Sequence, residues 1–184
     1  MSRARDEEAR AALRARQGAG ARYDAETAPA ADLLLARRGA AFFARQVVGL
    51  SDAALAGPAR TGGRSRAHVV AEVSLRARAM ALALEGLREG RTPARRDWAS
   101  EIDLAVTLPP RALRTLLQHC DVHLDVEFRD LPADLWSGEV ALGTEGAVPA
   151  GSLPLRRARD LWTGALDLNH GAREADLPPR LRGG

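Results

Sequence analysis

The chain has 184 residues, enough for one domain with tails, and its 46% hydrophobic content is that of an ordinary globular protein. No run of about eighteen apolar residues marks a membrane span. All 27 basic residues are arginine, set against 24 acidic ones for a net charge of only +3; they are interspersed with Asp and Glu and few aromatics accompany them, which argues against nucleic acid as a partner.

Because arginine does not titrate in the accessible range, this small excess lifts the sequence pI to about 10.2 without creating a basic face. The charged start, MSRARDEEARAALRARQ, lacks an apolar signal core. The lone Cys120 rules out an internal disulfide framework. Both features predict a cytoplasmic protein.

Residues 1–28 read as a polar extension with a helix-compatible stretch near Asp6–Arg16 and a Gly-rich break at GAGARYD. PAADLLLARRGAAFFARQVVGL follows, and Leu34, Leu35, Phe42, Phe43 and Val47 give it an apolar helical stripe. Ser51 offers an N-cap for a short turn. GPARTGGRS is a loop by its Gly and Pro content. Ser65 caps a long helix that runs to Gly90, where a left-handed glycine can end it.

WASEIDLAVTL predicts a shorter helix stopped at Pro109-Pro110. The next long helix, RALRTLLQHCDVHLDVEF, carries Leu113, Leu116, Leu117, Cys120 and Leu124 along one side. Val140 and Leu142 alternate before a Gly-containing turn and Ala147-Val148, a β-hairpin pattern. A final helix spans about Pro154 to Leu168, and residues 171–184 read as a flexible, Pro- and Gly-rich tail. The sum is an all-α four-helix bundle over residues 29–170, with a small hairpin before its last helix.

The chemistry-bearing residues admit bland readings. His119, Cys120 and His123, with Glu127 beyond them, have metal-ligand spacing on one helix, but two imidazoles alone do not make a site, and they are read as packed helix positions. Cys120 lies on the apolar side and is read as a buried, inert thiol. His68 and Glu72 share a helix face and taken alone read as a solvated or hydrogen-bonded pair; Asp160 and Asp167 share another and read as carboxylates facing solvent. Within the last helix Gly164 stands out, since glycine costs about 1 kcal/mol against alanine in a helix interior.

Four segments, taken in chain order, resemble the mycothiol-dependent maleylpyruvate isomerases: ARQGAGARYDAETAPAADLLLARRGAAFFARQVVGLSDAAL, SRAHVVAEV, ALRTLLQHCDVHLDVEFRDLP and VPAGSLPLRRARDLWTGALDL. The resemblance implies a DinB-like bundle that carries a divalent metal, usually zinc, and uses mycothiol as a thiol cofactor. It implies a small dicarboxylate-like substrate and the cis-to-trans isomerisation of maleylpyruvate to fumarylpyruvate.

The family pattern G-W-T-R-x-H-x-x-A-H is met here by Gly63-Arg64-Ser65-Arg66-Ala67-His68-Val69-Val70-Ala71-Glu72. The pattern R-x-R-E-V-W-x-H-x-x-D-L is met by Arg157-Ala158-Arg159-Asp160-Leu161-Trp162-Thr163-Gly164-Ala165-Leu166-Asp167-Leu168. By resemblance the metal-ligand positions are therefore Glu72, Asp160 and Gly164, in place of His, Glu and His. Two further departures are Trp98-Ala99-Ser100-Glu101-Ile102 where the family reads like R-N-x-E-I, and an expected end of the chain before the family's smaller C-terminal domain.

Two carboxylates would favour magnesium, manganese or calcium over zinc, and without an ion they would repel until one took a proton. Two expectations follow. In one, Glu72 and Asp160, with His68 as a substitute third ligand, keep a metal and an impaired isomerase. In the other, the bundle is non-catalytic and binds a small molecule or a protein through the former metal cleft, which Arg64, Arg76 and Arg159 make attractive to anions. Carboxylates converging beside His68 would favour the first, and arginine filling the gap the second.

Overall fold

The computed structural model describes residues 24–94, 96–142 and 146–182; the helix-compatible stretch near Asp6–Arg16 lies outside them. The helices are α1 (Ala30–Gly49), α2 (Asp52–Ala56), α3 (Arg66–Glu89), α4 (Trp98–Val106), α5 (Pro110–Asp130) and α6 (Leu153–Asp167). A hairpin of β1 (Glu139–Ala141) and β2 (Ala147–Pro149) precedes α6. The four long helices form the bundle: α3 packs chiefly on α5, α1 on α6, and α3 also meets α4 and α6.

Local chemistry places the ends of these helices. The Ser51 hydroxyl accepts from the Ala54 N–H at 3.1 Å, and the Ser65 hydroxyl from the His68 N–H at 3.2 Å, each satisfying a donor that has no partner within its helix. Gly90 closes α3 in the left-handed region at φ 65°. Asp97 caps α4 through the Ser100 N–H at 3.2 Å. In the hairpin Val140 pairs with Val148, both turned to the core, as their alternation requires.

The stripe of α1 differs in phase from the one expected. Leu33, Ala36, Gly39, Phe43 and Val47 are buried, whereas Leu34 is half exposed. Three consecutive leucines cannot fix the phase of a helix; the small residues Ala36 and Gly39, at spacings of three and four from their neighbours, do so because α6 lies against them. A Cβ placed on Gly39 would lie 2.8 Å from the indole nitrogen of Trp162. The segment after α6, expected as a loose tail, lies against the bundle instead. Its Leu177 packs with Ala36, Ala158 and Trp162, and Arg180 pairs with Asp32 at 2.9 Å.

Gly164 is explained by packing. A Cβ there would stand 2.9 Å from Val73 Cγ2 and 3.2 Å from Phe43 Cε2, so α6 presses on α3 and α1 through a bare backbone. Two turns earlier the buried Arg157 donates from Nη1 to the Val73 carbonyl at 2.7 Å and pairs through Nη2 with Asp121 on α5. Val73 is thus gripped twice by one face of α6, by its side chain at Gly164 and by its carbonyl at Arg157.

Gly164→Ala tests this packing. Overpacking costs about 1–3 kcal/mol, against about 1 kcal/mol gained in helix propensity. Urea denaturation should show a net loss of stability, and a more stable variant would mean that the interface has room.

Candidate functional site

The positions that the resemblance assigns to a metal lie on facing stretches of α3 and α6. Glu72 and Arg76 are one turn apart on α3, and their side chains pair at 2.7 Å between Arg76 Nη2 and Glu72 Oε1. The same guanidinium donates from Nη1 to Asp160 Oδ1 on α6 at 2.8 Å. From the loop before α3, Arg64 Nη1 takes the other Glu72 oxygen at 2.5 Å. Arg64 Nη2 also lies 3.9 Å from Asp167 Oδ2, and the Thr61 hydroxyl donates to Asp167 Oδ1 at 2.6 Å. Acids and arginines therefore alternate in one chain: Asp160, Arg76, Glu72, Arg64, Asp167.

The two central carboxylates are largely covered, at 20% exposure for Glu72 and 13% for Asp160, while Arg76 is half exposed. Burial pushes the Asp160 carboxyl above its ordinary range, and Glu72 adds to this; Arg76 and Arg157 pull the other way without cancelling it.

Zinc requires three or four donors converging at about 2.0–2.3 Å. Both Glu72 oxygens and one Asp160 oxygen already accept from guanidinium groups, and Gly164 offers no donor. A histidine at 164 would bring its Cβ within 2.9 Å of Val73, so the position is closed to an imidazole unless the helices move. His68 lies one turn before Glu72, but its ring enters no hydrogen bond or ion pair among the described residues, and it lines neither cavity beside Glu72. His170 sits against Gly49 at the end of α1, outside both of those cavities. Among the described residues, no three of His, Cys, Asp and Glu gather to hold a metal. The residues present do not fit a zinc ion.

In the other histidine cluster His119 is exposed on α5, not packed as expected, because it falls on the helix face turned away from Leu117, Cys120 and Leu124, while Glu127 and His123 are tied into structure. Glu127 is buried on α5, where Arg88 donates to its two oxygens at 3.1 and 3.2 Å and His123 lies 3.9 Å away. Cys120 is buried, and desolvation raises its thiol to about 11, so little nucleophilic thiolate exists near neutrality.

Beside the acid–arginine chain opens a cleft of about 670 Å³ between α3 and α6, reached also by α4 and the flanks of the hairpin. Glu72, Arg76 and Asp160 form one part of its wall, Arg156 and Arg159 another, and Leu75, Met80, Trp98, Ile102 and Leu155 supply apolar surface. The sequence reading had placed Arg64, Arg76 and Arg159 near such a cleft. It missed Trp98, Ile102, Leu155 and Arg156. The available signal was the spacing of three between Arg156 and Arg159, which puts both on one face of α6.

The model of the mycothiol maleylpyruvate isomerase N-terminal domain matches residues 36–169. The fold is similar to the crystal structure of the mycothiol-dependent maleylpyruvate isomerase, with a TM-score of 0.77 and 32% identity over 82% of this chain and 64% of that one. A histidine-to-alanine mutant of the mycothiol-dependent maleylpyruvate isomerase matches with a TM-score of 0.76, the same identity and the same coverage. This chain thus spans just under two thirds of the length of those structures. No curated protein matches it.

The burial of Asp160 has a measurable sign. With its pKa raised in the folded state, the folded protein takes up a proton before the unfolded chain does as pH falls. Asp160 therefore adds stability on the way from neutrality down to the ordinary carboxylate range, and withdraws it as pH rises. Urea denaturation of the wild type and Asp160→Asn at neutral and mildly acidic pH should show the wild type gaining on the variant as pH falls. A gap that narrows on acidification would contradict the assignment.

Proposed function

The chain belongs to the mycothiol maleylpyruvate isomerase N-terminal domain family, and from that premise we propose that it binds a small anionic molecule in the α3–α6 cleft without a metal and without the family's isomerisation. The observation that carries this reading is the Arg76 guanidinium, which joins Glu72 and Asp160 where a metal would join its ligands. A guanidinium is a permanent cation with a planar fork of donors. It neutralises the two carboxylates as an ion would, but it has no open coordination position at which to activate a thiol or polarise a carbonyl.

The degenerate ligand set belongs to the same proposal. Glu72, Asp160 and Gly164 stand at the positions that the resemblance gives to His, Glu and His, and only carboxylates remain to hold an ion. The cleft itself persists, and three arginines reach it from α3 and α6. Divalent metal, mycothiol and a dicarboxylate substrate remain the family's expectation, while the site chemistry of this chain favours an anion held by arginine. No helix among the described residues is long and apolar enough to cross a membrane.

Two measurements on the purified chain test the reading. After equilibration with zinc, manganese and magnesium and removal of free ions, mass spectrometry should find far less than one metal per chain. An isomerisation assay with mycothiol and maleylpyruvate should show no turnover above the enzyme-free rate. One metal per chain together with mycothiol-dependent turnover would overturn the proposal.

A further inference from the structure

The cleft has two unlike sides, and this asymmetry narrows what it can take. We infer that its ligand is a monocarboxylate with an apolar body, its carboxylate held by Arg159 at the α6 rim and its body laid over Leu75, Met80, Trp98 and Ile102. This rests on the metal-free reading above and names the ligand class for the same cleft.

Arg159 is exposed at the cleft wall, and no hydrogen bond or ion pair engages its side chain among the described residues. Arg156, one turn earlier on α6, lines the same wall. Arg76 is shared between Glu72 and Asp160 and is half exposed, so it contributes positive potential while its donors serve those acids. An incoming anion is thus met by the guanidinium of Arg159, which can bind a carboxylate through two parallel hydrogen bonds.

The acids set the charge of the ligand. Glu72 and Asp160 line the cleft with their charges already met by Arg64 and Arg76, and as acceptors they offer no donor to a second negative group. A dicarboxylate would place one of its ends against these acceptor-only acids or over apolar side chains, and a phosphate would bring three oxygens to the single fork of Arg159. A single carboxylate meets Arg159 without either cost.

The apolar side sets the body of the ligand. Leu75 and Met80 come from α3, Trp98 and Ile102 from α4, and together they form a surface on which an aromatic ring or a short alkyl chain loses water contact. A volume of about 670 Å³ falls within the range of clefts that enclose small organic ligands.

Calorimetry on the full chain, with a chelator present, distinguishes the outcomes using phenylbutanoate, its uncharged counterpart phenylbutanol and phenylbutyl phosphate. The carboxylate should bind about tenfold more tightly than the alcohol, the scale expected of a charge-assisted hydrogen-bonded contact. It should also bind more tightly than the phosphate. Arg159→Ala should abolish the advantage of carboxylate over alcohol, Arg159→Lys should restore part of it, and Trp98→Ala should weaken both ligands alike.

Equal affinity for acid and alcohol, unchanged carboxylate binding in Arg159→Ala, a preference for phosphate, or no binding of any probe would overturn the inference and leave the metal-free reading standing. Carboxylate binding that appears only when zinc replaces the chelator would overturn the metal-free reading itself. Arg159 is exposed and makes no contact that the fold depends on, so its variants test the ligand and not the folding.

Discussion

The organisation of the cleft depends on one shared guanidinium. Glu72 and Asp160 come from facing helices and are largely covered, and a cation shared between them offsets the cost of burying two negative charges. Arg76 supplies that cation from one turn along the helix that carries Glu72. Its reach to Asp160 requires α6 to lie close to α3. Gly164 allows this by presenting bare backbone to Val73 and Phe43, and Arg157 secures it by bonding the Val73 carbonyl. The glycine, the buried arginine and the shared guanidinium therefore form one arrangement: two features set the spacing of the helices, and the third uses it.

On the proposed reading, the same arrangement separates this chain from the chemistry for which its family is named. A metal gains its catalytic value from an open position and from ligands that leave it Lewis acidic. A guanidinium gives neither, although it solves the same electrostatic problem. The structure itself offers the shape: a cleft beside Glu72 and Asp160, with arginines on one side and apolar side chains on the other. Charge and shape together describe a binding surface, and the similarity to known structures, at 32% identity, extends to the bundle that presents it.

The bundle was legible in the sequence because its signals are local. Ser51 and Ser65 sit before helical stretches, Gly90 sits after one, Pro109-Pro110 separates two helices, and the alternation around Val140 and Val148 marks the hairpin. The phase of α1 was not legible. Its stripe is carried by Ala36 and Gly39, whose burial depends on Trp162 more than a hundred residues away. Packing of Leu177 was hidden for the same reason, since a single leucine in a Pro-rich segment shows no periodicity.

The site was legible in part. Glu72, Asp160 and Gly164 could be named from the resemblance, and Arg76 could be named as a cation near them. The sequence could not give the direction of the Arg76 fork, nor the fact that any side chain at 164 would meet Val73 and Phe43, because both are set by how α6 lies against its neighbours. The apolar wall from Trp98 and Ile102 depends on where α4 docks, and an isolated short helix carries no such information.

The central claim is that arginine stands where the family's metal would be. A crystal structure of this chain grown in millimolar zinc, with anomalous scattering collected at the zinc edge, tests it most directly. The account predicts continuous density for the Arg76 side chain between Glu72 and Asp160, with no anomalous peak beside them. An anomalous peak about 2.0–2.2 Å from the Glu72 and Asp160 oxygens, with Arg76 turned out to solvent, would contradict it.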